Sequence, residues 1–489
     1  MKFTYHFRFS VIITMIICIL PISFNCMLAQ KEEIPITTSS EEALKLFLEG
    51  REKWENIEIA AAALLFDQAI QKDPEFAMAY LYRSQSGGGF NIFRQNLEKA
   101  VSLVDKVPEG EKHLILYSQA VADGDGAKQK EHLDQLLKLF PNDKRVQTLA
   151  GSYFQYVLDD RETAIKHLKK ATDLDKKYAP AYNNLGYVQS ALGNYEAAEE
   201  AFKTYINLIP DNPNPYDSYA ELLLKIGKYD ESIEQYKKAF EKDPLFTFAL
   251  QGVGHNYIFK GDYETARKYY QKRFDKAPAI DEKFSTLFWK ATSYVHEGNI
   301  EKALKTFEEY RALAEKEDLI TNVILSYANQ GFILTESGNP TEGMKYYEKA
   351  SDLIKEAELS RPVKENYILN SIMWRCYVLT AKNEFDKAEA DFEKYKQMVE
   401  NRQNPGEERT LHSIYALREI KRGNYDKALE HFSKADTEDA FNWYYMAKAY
   451  EKKGDKENAS KFYAKVANWN VNSLNLALVR QRAREKIQK

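Results

Sequence analysis

The sequence predicts an all-α solenoid of about twelve antiparallel helix pairs, closed by a C-terminal capping helix. Three observations carry that prediction. A 34-residue period runs through the middle of the chain, no alternating apolar–polar segment is long enough to make a strand, and glycine and proline number only 21 and 14 in 489 residues. Apolar residues make up 44% of the chain and charged ones 29%, which excludes wholesale disorder and suits a soluble helical protein. With 69 basic against 73 acidic side chains the net charge is −4, so the clustered basic excess that phosphate binding needs is missing and no nucleic-acid partner is expected. Three cysteines, Cys18, Cys26 and Cys376, exclude a disulfide framework and a multi-cysteine zinc site.

Residues 1–29 read as an export signal. Lys2 and Arg8 precede the apolar run Val11 to Leu20, Pro21 breaks it, and the small Ala29 closes the stretch before the polar Gln30-Lys31-Glu32-Glu33. Cleavage after Ala29 predicts an exported protein, periplasmic or secreted, that begins at Gln30. Two alternatives would attach it to a membrane: an uncleaved anchor, against which Pro21 and Asn25 speak, and lipid attachment at Cys26, where Ser23-Phe24-Asn25 departs from the small residues of bacterial lipoproteins. Residues 30–42 make a short lead.

The period is plainest over 179–212, 213–246 and 247–280. Gly193, Gly227 and Gly261 fall in phase, as do Tyr195, Tyr229 and Tyr263, then Ala198, Ser232 and Ala266, and finally Pro210, Pro244 and Pro278. Glycine at the end of each first helix supplies a left-handed cap, and proline stops the second. Asn194 and Asp262 are suited to N-cap the second helix, whereas Lys228 is not. Small residues at repeat positions 8 and 20 let the two helices approach, and aromatic rings fill the space that remains. The set Tyr182, Leu185, Gly186, Gly193, Tyr195, Ala198, Phe202 and Pro210 resembles the tetratricopeptide-repeat family position by position. That resemblance implies a right-handed superhelical solenoid with a concave groove in which peptides dock.

Extending the phase predicts degenerate pairs over 43–76, 77–109, 110–144 and 145–178, then the three well-matched pairs. Further pairs with insertions follow over 284–317, 324–357, 369–402, 409–439 and 440–473. The sequence around Pro362 and Pro405 reads as elongated helices ending in turns. Residues 474–489 form an amphipathic helix with a basic face at Arg480, Arg482 and Arg484, suited to cover the last apolar face of an open array.

Motifs that carry chemistry are missing: the sequence has no HExxH, GxxxxGK, GxSxG or paired CxxC. His6, His113, His132, His167, His255, His296, His412 and His431 are scattered over different units and read as surface or packing residues. Cys376 sits at position 8 and reads as a small buried hydrophobe. Adjacent acidic pairs such as Asp159-Asp160 and Glu199-Glu200 diverge by about 100° on a helix and read as solvated faces. Ser86-Gly87-Gly88-Gly89-Phe90 replaces an inter-helix turn. No catalytic residue, metal or cofactor is expected, and the chain reads as non-catalytic.

Surface remains. Positions 2, 5, 9, 12 and 13 of each first helix share one face, and the family resemblance places this face on the groove. Read off the chain it carries Tyr187, Phe248, His255, Phe259, Phe288, His296, Phe332, Met373 and Tyr377, interrupted in the sixth unit by Asn214, Asp217, Glu221 and Lys225. These side chains either contact a partner or pack against the neighbouring unit. The family's basic clamp for a terminal carboxylate needs Lys and Asn at positions 5 and 9, whereas Asn183 and Tyr187 or Gln251 and His255 stand there. The functional expectation is an envelope scaffold that binds an extended segment of a protein or peptide partner. The alternative is a module for small envelope ligands, peptide or glycan fragments, which calls for one deep pocket in place of a long groove.

Overall fold

The computed structural model describes residues 33–488, so the export-signal and Cys26 readings lie outside the described residues. Twelve helix pairs, numbered here as units 1 to 12, follow one another along the chain. Units 1 to 4 are α1 (Glu41–Glu55) with α2 (Ile59–Lys72), α3 (Ala77–Ser84) with α4 (Gly89–Ser102), α5 (Glu109–Asp123) with α6 (Gly126–Leu139), and α7 (Lys144–Tyr156) with α8 (Arg161–Leu174). Units 5 to 8 are α9 (Ala179–Ala191) with α10 (Tyr195–Leu208), α11 (Asn214–Lys225) with α12 (Tyr229–Lys242), α13 (Phe248–Lys260) with α14 (Tyr263–Lys276), and α15 (Ile280–Glu297) with α16 (Ile300–Lys316). Units 9 to 12 are α17 (Ile320–Glu336) with α18 (Pro340–Glu356), α19 (Arg361–Ala381) with α20 (Phe385–Arg402), α21 (Pro405–Arg422) with α22 (Tyr425–Phe432), and α23 (Ala440–Lys453) with α24 (Lys456–Asn468). Helix α25 (Leu474–Ile487) closes the chain, and no strand occurs among the described residues.

Local chemistry sets the boundaries. Gly261 ends α13 at φ 80°, and Asp262 then caps α14 by accepting from the Thr265 amide at 3.0 Å. Asn194 departs from expectation: its side chain donates to Gln189 Oε1 at 3.0 Å and leaves α10 without a side-chain cap. Ala198, in the first turn of α10, and Phe202, at its middle, are both buried. Gly87, Gly88 and Gly89 all adopt positive φ, which only glycine does freely, and the turn they make leaves α3 eight residues long. Elongated helices do precede Pro362 and Pro405, α18 with 17 residues and α20 with 18, and after the turns the two prolines sit in the first turns of α19 and α21, where the missing N–H costs nothing.

The odd-numbered helices touch one another, as α7 with α9, α9 with α11 and α11 with α13 do, and the even-numbered ones lie outside them. Elements on the inner side of a curved stack crowd together, so the odd helices line the concave face. The curvature brings distant units into contact. Arg409 donates to the Val157 carbonyl at 2.9 Å, Thr437 to Asp159 at 2.8 Å, and Arg161 pairs with Glu438 at 3.3 Å. Asn212 likewise donates to the Asn56 carbonyl at 2.9 Å. Helix α25 covers α23 and α24, as a cap should, and also reaches back to α15. There Leu476, Val479 and Ala483 join Phe259, Phe284, Phe307 and Trp443 in one buried cluster.

Candidate functional site

The chain's own C-terminal end fills the middle of the concave face. Asn472, in the link between α24 and α25, donates to His255 Nδ1 and accepts from His296 Nε2, each at 2.9 Å. Arg480 lies 4.5 Å over the Phe259 ring, which is 6% exposed, and donates to the Ala467 carbonyl and to Asn470. Phe332 is caught between Tyr377 and Phe441, each with centroids 5.6 Å away. The buried Glu336 carboxylate gathers the hydroxyls of Tyr377 and Tyr445 and the guanidinium of Arg482. Phe288 packs on Trp289 and Phe307, and Met373 lies half-buried beside the α19–α21 core. The expected partner-contact stripe from His255 to Tyr377 is therefore lined by intramolecular contacts, and Arg480 and Arg482 turn inward instead of forming a free basic face. Burial and the Arg273 charge hold His255 down at about 3, and burial with Arg480 and Arg484 holds His296 at about 4.

Two of the sequence-derived residues lie elsewhere. Phe248 is half exposed, with Arg273 stacked 4.7 Å from its ring. Tyr187 donates to Glu221 Oε2 at 2.6 Å and accepts from the Ser218 hydroxyl at 3.2 Å. Beside them Asp217, 9% exposed, is pushed well above the usual carboxylate range by burial and by Glu221.

Open space lies in the N-terminal half. A cavity of about 460 Å³ is framed by α1, α3, α5, α7 and α9. Trp54, Tyr82 and Tyr178 supply aromatic walls, with Trp54 edge-on to Tyr82 at 5.1 Å. Arg145 reaches Glu55 at 2.6 Å and Glu33 at 3.2 Å on its rim, and Gln85, Ser118, Asn183 and Asn184 provide polar groups. The Asn183 Oδ1 is buried with no partner among the described residues.

The lead shows how this face holds a backbone. Residues 34–38 run without helix along it, the Ile34 amide donating to Asp143 Oδ2 at 2.8 Å and the Thr37 amide to Glu111 Oε1. Ile34 buries its side chain against Leu136, Phe140 and Val146, and Ile34 and Ile36 both line the cavity. Burial raises Glu111 to about 7, with the Thr37 N–H pulling the other way. The expected stripe starts at unit 5, whereas this cavity lies mainly in units 1 to 4. The groove positions in units 1 to 4 name Arg51, Trp54, Glu55, Met78, Leu81, Gln85, Leu114, Ser118 and Leu149, all of which line it.

Of the remaining candidates, Cys376 is fully buried, and burial pushes its thiol up to about 12. The acidic pairs are not simply solvated: Asp160 caps α8 through the Thr163 amide, and Glu199 accepts from the Tyr219 hydroxyl. The histidines read as scattered are partly brought together, His113 facing His132 and His412 facing His431. Among the described residues no helix is long and apolar enough to cross a membrane.

The family model described as "Tetratricopeptide repeat" matches residues 179–212, 214–244, 249–272, 324–356 and 442–470, and one described as "TPR repeat" matches 160–193. The mitochondrial import receptor subunit TOM70 of Homo sapiens is 26% identical over 159 residues, which are 31% of this chain and 26% of the receptor. The corresponding TOM70 of Mus musculus is 26% identical over 151 residues, 29% of this chain and 25% of the receptor. The chain thus spans about a quarter of the length of these curated relatives. Among solved structures, MamA is 26% identical and covers 34% of this chain and 91% of its own, with a TM-score of 0.29. A tetratricopeptide repeat protein from Parabacteroides merdae is 18% identical and covers 57% of this chain and 99% of its own, with a TM-score of 0.35. On the matched stretches and the unbroken run of helix pairs, the chain carries tetratricopeptide repeats and has the architecture of a protein–protein interaction scaffold.

Proposed function

We propose that the chain is an exported, non-catalytic scaffold of the cell envelope that holds an extended segment of a partner protein in the cavity framed by α1, α3, α5, α7 and α9. The observation that carries this reading is the lead. It lies along the same face with its amides on the Asp143 and Glu111 carboxylates and its isoleucines at the cavity wall, the arrangement an incoming extended segment would extend. A pre-formed aromatic cavity loses little ordering entropy on binding, and Asn183 Oδ1 offers an acceptor to a peptide N–H. The likeness to import-receptor subunits agrees with a protein partner and goes no further. The long stripe from Phe259 to Tyr377 enters this reading only as the seat of the C-terminal helix.

A photocrosslinking residue placed at Ser118 or Asn184 tests the reading in cells, with the exposed Lys237 on the outer α12 as control. Capture of the same partner protein from both cavity positions and not from Lys237 is the expected result, and equal capture from Lys237 refutes the site. A cavity of about 460 Å³ also suits a small ligand, so adducts of peptide or glycan size would favour the small-ligand alternative. Export is tested by N-terminal sequencing: a start at Gln30 supports cleavage, a blocked Cys26 lipid attachment, and an intact Met1 anchoring.

A further inference from the structure

Two helix pairs carry the same unusual contact. His113 of α5 faces His132 of α6 with their Nδ1 atoms 3.1 Å apart, and His412 of α21 faces His431 of α22 with theirs 3.0 Å apart. Each pair is separated by 19 residues, and in both cases the ring centroids lie 5.3 Å apart with tilts of 43° and 36°. All four histidines are half-buried. They occupy positions 4 and 23 of units 3 and 11. Elsewhere those positions hold other residues, Tyr182 and Ala201 in unit 5 or Leu250 and Tyr269 in unit 7. Outside the first pair, Glu109 Oε2 lies 3.4 Å from His113 Nε2, and Glu408 stands one turn before His412 just as Glu109 stands before His113.

We propose that each histidine pair is a chelating site for a first-row transition-metal ion, copper(II) ahead of zinc(II). Imidazole nitrogens bind such ions at about 2.0–2.1 Å, so two of them about 3 Å apart subtend roughly 95° at the metal. That is the cis angle of a tetragonal site, which suits copper(II) better than the tetrahedral preference of zinc, and copper also stands highest in intrinsic affinity. Without metal, one Nδ1–H donates to the opposite Nδ1. As the ion enters, that proton moves to Nε2 of its own ring, both Nδ1 lone pairs turn to the metal, and no net proton leaves. At His113 the Nε2–H then has Glu109 as acceptor, the outer carboxylate support that orients a metal-bound imidazole. Water fills the remaining positions.

The full chain, stripped of metal with a chelator, is titrated with copper sulfate alone and separately with zinc chloride alone. Two coppers per chain are expected, with an electron paramagnetic resonance spectrum of tetragonal copper coupled to two nitrogens at each site. His132→Gln should leave one equivalent, and His132→Gln with His431→Gln should weaken both sites at least about tenfold while helical circular dichroism stays unchanged. Should the variants fold poorly, the wild-type chain still decides: substoichiometric copper should broaden the imidazole proton resonances of His113, His132, His412 and His431 and leave those of His167, His255 and His296 sharp. Undiminished copper binding by the double variant, a spectrum without imidazole nitrogen, or uniform broadening of every histidine overturns the proposal.

Discussion

Gly186→Ala probes the close approach on which every helix pair depends. A Cβ at this position would lie 2.5, 2.6 and 2.7 Å from Cε1, Cζ and Cδ1 of Phe202. Carbon atoms pack best about 3.5–4.0 Å apart, so the ring must retreat by about 1 Å or α9 and α10 must part. Retreat is blocked. Phe202 is 1% exposed, meets Tyr187 edge-on at 5.3 Å, and shares a cluster with Tyr219, Leu222 and Leu223 of the next unit. Overpacking of this kind costs about 1–3 kcal/mol, against which the better helix propensity of alanine returns about 1 kcal/mol. The expected net loss is about 0–2 kcal/mol for Gly186→Ala, and more for Gly186→Leu, which forces further carbons into the same gap. Denaturant unfolding gives the total, and hydrogen exchange over units 5 and 6 localises it, because a solenoid transmits damage mainly to its neighbours. Combining Gly186→Ala with Phe202→Leu should recover part of the loss, with a coupling of about 1–2 kcal/mol. If Gly186→Ala instead stabilises the chain by its full propensity gain and shows no coupling to Phe202, the close contact does not exist and the reasoning fails.

Three further outcomes are expected. Glu111→Gln should stabilise the chain at pH 8 by up to about 3 kcal/mol and do nothing at pH 4. The native carboxyl, at about 7 against an ordinary 4.5, binds more protons than the unfolded chain in that window, so stability falls as pH rises through it; equal melting gains at both pH values would refute this. His255 and His296, held at about 3 and 4, remain neutral where the unfolded chain protonates. Stability at the α25 junction should thus fall by a few kcal/mol as pH drops from about 6.5 to 4, read as lost amide protection in α25; unchanged protection refutes it. The Cys376 thiol should resist an aromatic disulfide reagent at pH 8 in the native chain and react at once in denaturant, because it is buried and pushed up to about 12; prompt native reaction would contradict that burial.

The repeat register was legible because each pair is a local object. Gly193, Gly227 and Gly261 mark turns by backbone conformation, Gly186 and Ala198 mark contact by size, and helices of 13 or 14 residues follow from hydrogen bonds four residues apart. The capping expectation failed where a second local choice competes, at Asn194, whose amide prefers Gln189 to the helix end. Part of the candidate site was legible too: the groove positions, applied to units 1 to 4, name ten of the 25 residues of the cavity wall. The His113–His132 and His412–His431 contacts leave only a shared 19-residue spacing, a signal visible once the two helices of a pair are known to face each other.

By itself, then, the sequence determined the all-α class, the twelve pairs, the closing helix and the face of each first helix that turns inward. Only the tertiary structure decided which stretch of that inward face stays open. Asn472 meets His255 and His296 across 217 and 176 residues, and Arg482 meets Glu336 across 146, while the lead meets Asp143 across 109. No local preference encodes such meetings. Each unit rotates slightly on the one before it, the rotations sum around the superhelix, and the sum brings α25 against α15 while leaving the N-terminal turn to the short lead and an open cavity.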